Sequence, residues 1–176
     1  MITILADDKT NELGRAVFDK FKQRGHDVKF FDLKNINIKP CYACYGCEEK
    51  TYRRCIVRDD ADLLIPYIAQ SKVLIAITQI TYGSYSFKMK RAIDKGFYLI
   101  TDKHYGIKNG ELVTGLKSRD KCFYAVGVHD NVDEMEIRAF EQLVSETLNI
   151  VCWDGKAIVS SFNSFDLDNI CEEILL

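Results

Sequence analysis

The stretch KVLIAITQITYGSYSFKMKRAIDKGF, residues 72–97, decides the fold. Val73 to Thr78 is an unbroken apolar run, too short for a stable helix and bounded by Lys72 and the Gln79 to Ser86 loop. Such a run reads as a strand buried on both faces, the kind that parallel sheets require. Met89, Ala92, Ile93 and Phe97 then recur at helical spacing, so the loop feeds an amphipathic helix.

The unit repeats on both sides. Ile2 to Ala6 is a short strand that ends in Asp7-Asp8. Leu13, Ala16, Val17 and Phe21 form a helical stripe, with Thr10 or Asn11 as N-cap and Arg24-Gly25 at its close. Asp27 to Leu33 reads as a second strand, and a cysteine-containing loop at 40–58 follows. Asp59-Asp60 opens a helix carrying Ala61, Leu64, Ile65 and Ile68, in which Pro66 predicts a kink or a late start. Downstream, 101–119 holds three glycines and little periodicity, and reads as a loop or small hairpin excursion. Lys121 to Val128 is a fourth strand, and Val132 to Leu148 a long helix. Ile150 to Trp153 with Lys156 to Ser161 predicts a fifth strand turned at Asp154-Gly155, and Leu167, Ile170, Cys171 and Ile174 a closing helix.

Five strand–helix repeats imply an α/β three-layer sandwich, a parallel sheet covered on both faces. The flavodoxin-like order 2-1-3-4-5 suits five strands in a chain of 176 residues, read as a single domain, 1–176. Ligands in such sheets bind beyond the strand carboxyl ends, here the loops after Ala6, Thr78 and Val128. With 24 basic and 26 acidic side chains, the balance argues against a general nucleic-acid binder. No run approaches the ~20 apolar residues of a membrane span. The start lacks a signal-peptide pattern, so a cytoplasmic location is the expectation.

Residues 78–95 resemble the flavin loop and following helix of NADPH-dependent FMN reductase-like flavoproteins, with Lys90, Asp94 and Lys95 at the family's helix positions. The cysteine stretch before Asp59-Asp60 resembles a second feature of that family, which includes iron–sulfur flavoproteins. The resemblance implies a flavodoxin-like fold, FMN as cofactor, and electrons passed from NAD(P)H to a small-molecule or protein acceptor. By position it assigns Ile80, Thr81, Tyr82 and Gly83 to the isoalloxazine ring, together with Gln79 and with Gly127 and Val128 at the fourth strand's end. Thr10 and Asn11, at a helix N-terminus, fall to the phosphate. The flavin takes the hydride in such enzymes, so no catalytic acid or base is expected. A homodimer is also implied, with the excursion and the Tyr42 and Tyr45 region offering surface.

Two positions depart from the family pattern. Gln79 stands where the family has proline, and Asp7-Asp8-Lys9-Thr10-Asn11-Glu12 replaces a small, often basic phosphate cradle. At ~6 Å and an effective dielectric of ~20, each aspartate opposes a phosphate by roughly 3 kcal/mol before Lys9 and solvent offset it. FMN is therefore expected to bind more weakly than in relatives with a neutral cradle, and riboflavin to lose less by lacking the phosphate.

Cys41, Cys44, Cys47 and Cys55 have the close spacing that wraps thiolates around a metal. A [4Fe–4S] cluster, a zinc ion, and free redox-active thiols all fit the spacing. Lys50, Arg53 and Arg54 nearby should favour thiolates. Cys122, Cys152 and Cys171 sit in apolar segments and read as buried thiols. His129 follows the fourth strand and reads either as lining the site or as a solvated loop residue, Trp153 as a core or dimer-contact aromatic, and Asp130 to Glu136 as the acidic start of a helix. The leading reading is a flavin-dependent oxidoreductase. The alternatives are a non-catalytic flavodoxin-fold binding protein with a degenerate phosphate loop, and a cysteine-based metal or redox-sensing module.

Overall fold

The computed structural model describes residues 1–51, 54–100, 105–108, 111–114 and 120–175. The strands are β1 (Ile2–Ala6), β2 (Val28–Asp32), β3 (Val73–Gln79), β4 (Tyr105–Lys108), β5 (Glu111–Thr114), β6 (Cys122–His129) and β7 (Asp154–Ser161). The helices are α1 (Asn11–Gln23), the single turn α2 (Gly46–Glu49), α3 (Ala61–Gln70), α4 (Phe87–Ile100), α5 (Glu134–Val151) and α6 (Leu167–Leu175). Five strands form one parallel sheet in the order β2-β1-β3-β6-β7. Counted along that sheet alone, this is 2-1-3-4-5. β4 and β5 pair antiparallel as a separate two-stranded ribbon within the 101–119 excursion, whose other residues lie outside those described.

Side-chain alternation sends each central strand's residues to two cores. Ile4, Ile75, Ile77 and Val126 pack against Val17 and Phe21 of α1 and Ile170 of α6. Leu5, Leu74, Ala76 and Phe123 pack against α3, α4 and α5 through Leu64, Met89, Phe97 and Phe140. Each such side chain, removed from water, contributes ~1.5–3 kcal/mol, and this is why β1 and β3 read as continuous apolar runs. Trp153 belongs to the second core, edge-on to Phe97 at 5.2 Å.

Two boundaries differ from the sequence reading. Ile150 and Val151 finish α5 instead of opening a strand, and Cys152 closes that helix in the left-handed region at φ 54°. The last strand then runs unbroken through Asp154-Gly155. Gly155 makes this possible: at φ 138° its backbone lies so close to Phe123 that a Cβ would stand 1.9 Å from the Phe123 carbonyl oxygen. α3 starts at Ala61 and continues through Pro66, so the late start is not seen. Cys171 is buried, whereas Cys122 and Cys152 are only half-buried. No helix among the described residues is long and apolar enough to cross a membrane.

Candidate functional site

The loops that follow β1, β2, β3 and β6 lie at the carboxyl edge of the sheet, where the chain leaves β1 toward β2 on one side and β3 toward β6 on the other. Asp7, the first residue beyond β1, is only 3% exposed. Its Oδ1 accepts the Lys9 and Thr10 backbone N–H groups, both at 3.2 Å, and lies 2.9 Å from the Thr10 hydroxyl. Its Oδ2 accepts the Thr78 hydroxyl at 2.8 Å and the Gln79 N–H at 3.1 Å. One carboxylate thus ties the first loop to the end of β3. Asp8 beside it is exposed and paired with Lys88 of α4 at 3.0 Å. Lys88 also donates to the Lys34 carbonyl and stands on the wall of a groove of about 250 Å³ between residues 33–38 and α4.

Thr10 is fully buried, and its hydroxyl lies 2.5 Å from the Ile77 carbonyl, so it offers no surface group to a ligand. Asn11 is half-buried; its Oδ1 accepts from Arg15 Nε, and its Nδ2 is buried with no partner. The Lys9 and Thr10 N–H groups ahead of α1 already serve Asp7, so Thr10 is engaged, whereas Asn11 keeps an unpartnered Nδ2 at the start of α1.

The loop after β3 is built differently. Ile80 donates its N–H to the Val128 carbonyl at 2.9 Å and buries its side chain. Thr81 and Ser84 exchange backbone hydrogen bonds of 2.9 and 3.0 Å around Tyr82 and Gly83, at φ 50° and 69°. Two positive central φ values define a type I′ turn, which suits glycine and costs a tyrosine ~1–2 kcal/mol. A Cβ on Gly83 would stand 2.7 Å from Ala139 Cβ, so the turn lies directly on α5. Tyr82 is left 93% exposed at the tip. Thr81 is exposed and Gln79 half-buried, whereas Gly127 packs under Phe140 and Ile80, and Val128 is fully buried. The surface of this loop is therefore Gln79, Thr81 and Tyr82 with the turn's backbone. His129 ends β6 half-buried, its Nδ1 without a partner, rather than on a solvated loop.

The cysteine segment is closed at its base by Asp59 and Asp60. Asp59 accepts the Lys39 N–H at 2.8 Å, the Ala61 N–H at 3.0 Å and the Lys95 ammonium at 2.5 Å. The side chains of Lys95 and Asp59 are only 2% and 3% exposed. Burial by itself would raise the Asp59 carboxyl. The hydrogen bond from Lys95, those from the two amides and the Lys95 charge outweigh it, and hold the group below the ordinary carboxylate value. Asp60 accepts the Asn37 N–H at 2.8 Å.

Between these anchors, Cys41 and Cys44 are exposed, and Cys47 and Cys55 half-buried. Ala43 and Tyr45 adopt left-handed backbone at φ 51° and 55°. Among the described residues, no three Cys, His, Asp or Glu side chains gather closely enough to hold a metal ion. The basic neighbours do not depress Cys47: burial pushes its thiol up, and the nearby Cys55 and Cys41 add to the rise.

A family model described as NADPH-dependent FMN reductase matches residues 6–122, two thirds of the chain, which takes in the loops after β1, β2 and β3. The chain belongs to the NADPH-dependent FMN reductase family. Curated relatives include an iron-sulfur flavoprotein of Methanosarcina thermophila, 24% identical over 94 residues, or 53% of this chain and 48% of that protein. Another, from Archaeoglobus fulgidus, is 28% identical over 83 residues, covering 47% and 41%. This chain spans about half the length of the curated relatives it matches. Among solved structures, an azoreductase from Bacillus anthracis superposes with a TM-score of 0.66 at 12% identity, covering 99% of this chain and 92% of that one. A Streptococcus pneumoniae flavodoxin gives 0.57 at 12% identity, covering 98% and 96%. These likenesses show the flavodoxin-like fold.

Thr78 and Lys88 carry no reading from sequence, Asp7 reads only as a charge opposing a phosphate, and Lys95 only as a helix position shared with the family. Lys95 had a readable signal, since it stands three residues after Ala92 and four before Leu99 on the buried face of α4. The inward direction of Asp7 had none.

Proposed function

We propose that this chain is a flavin-dependent oxidoreductase that passes electrons from NAD(P)H to a small-molecule or protein acceptor. The observation that carries the reading is the type I′ turn at Thr81–Ser84, which holds Tyr82 and the turn's backbone over the sheet's carboxyl edge. A bound flavin would supply hydride acceptance and electron delivery. The chain's own task is to hold the ring. Gln79 and Thr81 offer polar groups to its edge, the Tyr82 and Gly83 N–H groups are left over by the turn's own bonds, and the Tyr82 ring can cover a face. Gly83 on Ala139 keeps the turn rigid against α5, so these groups are placed before the ligand arrives.

The ring end suits a flavin; at the phosphate end the Asp7 carboxylate holds the Lys9 and Thr10 N–H groups and opposes FMN's phosphate. No step is assigned to the four cysteines. Exposed, unpaired Cys41 and Cys44 suit a reducing compartment, in line with a cytoplasmic protein. Exposed Tyr42, Tyr45 and Tyr82 in the loops of this edge, with Phe87 at the start of α4, support a homodimer that covers it. Residues 1–176 act as one domain in this reading.

Anaerobic mixing of the purified chain with flavin and then NADH or NADPH tests the function. Bleaching of the flavin's visible band faster than without protein is the expected result. Unchanged bleaching with saturable flavin binding would favour the non-catalytic binding protein, the reading that the filled phosphate end supports.

A further inference from the structure

Resting on the flavin reading, we infer that Asp7 sets the ligand preference of this site: its carboxylate stands in the place of a phosphate, so the site takes flavins without regard to the 5′-phosphate, riboflavin as readily as FMN. In this fold a phosphate is held by N–H groups of the first strand–helix turn, helped by the N-terminus of the helix that follows. Here the turn is short, from Asp7 to Thr10 before α1 begins at Asn11. Its Lys9 and Thr10 N–H groups both point at Asp7 Oδ1. From the β3 side, the Thr78 hydroxyl and the Gln79 N–H point at Oδ2. Thr78 is itself held in that orientation by the Ser86 N–H at 3.0 Å. Two of the four donors, the Lys9 and Thr10 N–H groups, belong to the turn that a phosphate would recruit, and they already hold a resident anion.

Asp7 and Asp8 differ in kind. Asp8 is exposed and faces the Lys88 ammonium, which cancels its charge locally. The partners of Asp7 are neutral N–H and O–H groups, so its charge stays to repel a second anion. Burial removes the solvent that would screen it. The ring-holding turn at Thr81–Ser84 is separate from these donors, so a flavin can seat its ring with its polyol directed away from Asp7.

Titration of riboflavin and of FMN with the purified chain, read as loss of flavin fluorescence, tests the inference without any variant. The two dissociation constants should agree within about threefold. FMN binding more than about tenfold tighter than riboflavin would overturn the inference and leave the flavin function standing. Binding of neither would remove the flavin reading, and this inference with it. Asp7→Ser should tighten FMN by about tenfold or more while riboflavin moves less than about threefold, the size expected for removing one uncompensated charge. Equal gains for both flavins would mean that Asp7 acts on loop order, against the inference. Should that variant fail to fold, inorganic phosphate decides on the unmodified chain. Millimolar phosphate should leave the melting temperature unchanged, whereas a saturable rise would reveal a free phosphate site and refute the proposal.

Discussion

Replacing Lys95 by Met isolates the buried ion pair beneath the cysteine segment. Lys95 and Asp59 are both almost fully buried, and Asp59 also holds the Lys39 and Ala61 amides. Removing one partner of such a pair costs about 3–5 kcal/mol, because a charge is left buried without its counterion. The two amides still solvate Asp59 in the variant, which puts the expected loss at the lower end, about 3 kcal/mol. For a chain of this size each kcal/mol lowers Tm by about 2–4 °C, so the variant should melt roughly 6–12 °C below the parent. The pH dependence has a definite sign. Asp59 is held below its ordinary value in the folded state, so its contribution is present above the unfolded carboxylate value near ~3.9 and is lost as pH falls through the folded one. The deficit of Lys95→Met should therefore be full at neutral pH and shrink below about pH 4. It should also persist at 1 M salt, since buried pairs are poorly screened. Thermal denaturation followed by circular dichroism measures all three. A variant that melts within about 1 °C of the parent at pH 7, or a deficit independent of pH, would refute the argument.

Asp59→Ala should be worse than Lys95→Met in the same assay, because it also strands the Lys39 and Ala61 amides. Gly83→Ala should cost about 2–4 kcal/mol, combining left-handed backbone with a Cβ 2.7 Å from Ala139, and should weaken riboflavin and FMN alike; a variant of parental stability would mean that the turn is not seated on α5. Iodoacetamide at neutral pH should label Cys41 and Cys44 first, Cys47 later and Cys171 last, by peptide mass spectrometry.

The sheet was legible because parallel strands buried on both faces leave an apolar record that periodicity cannot confuse, as Val73 to Thr78 shows. The same logic misread Ile150 and Val151. Their apolar character is shared by a helix end and a strand start, and the left-handed Cys152 that separates the two leaves no mark in the pattern. At the site, the Thr81–Ser84 turn was marked by Tyr82-Gly83, but which of Gln79 to Gly83 face outward depends on the Ile80 bond to Val128, 48 positions away. Asp7 is the clearest case of what a linear reading misses. Its charge is visible, yet its direction is set by Thr78 and Gln79, 71 and 72 positions distant. What reads as an exposed, repelling loop is half exposed Asp8 and half a buried carboxylate with its own donors. The cysteine spacing was plain as well, but spacing does not record the left-handed turns at Ala43 and Tyr45 that set where each thiol lies.

The central claim, that the carboxyl edge of this sheet holds a flavin ring through the turn at Thr81–Ser84, is tested most directly by riboflavin fluorescence with the parent chain and with Tyr82→Ala. Tyr82 is 93% exposed, so its removal leaves the core untouched and alters only what the turn presents. Saturable quenching by the parent chain is the expected result. Tyr82→Ala should lose about tenfold in affinity at unchanged Tm, the scale of one aromatic stacking contact. Absence of quenching by the parent, or equal affinity in the variant, would contradict that claim.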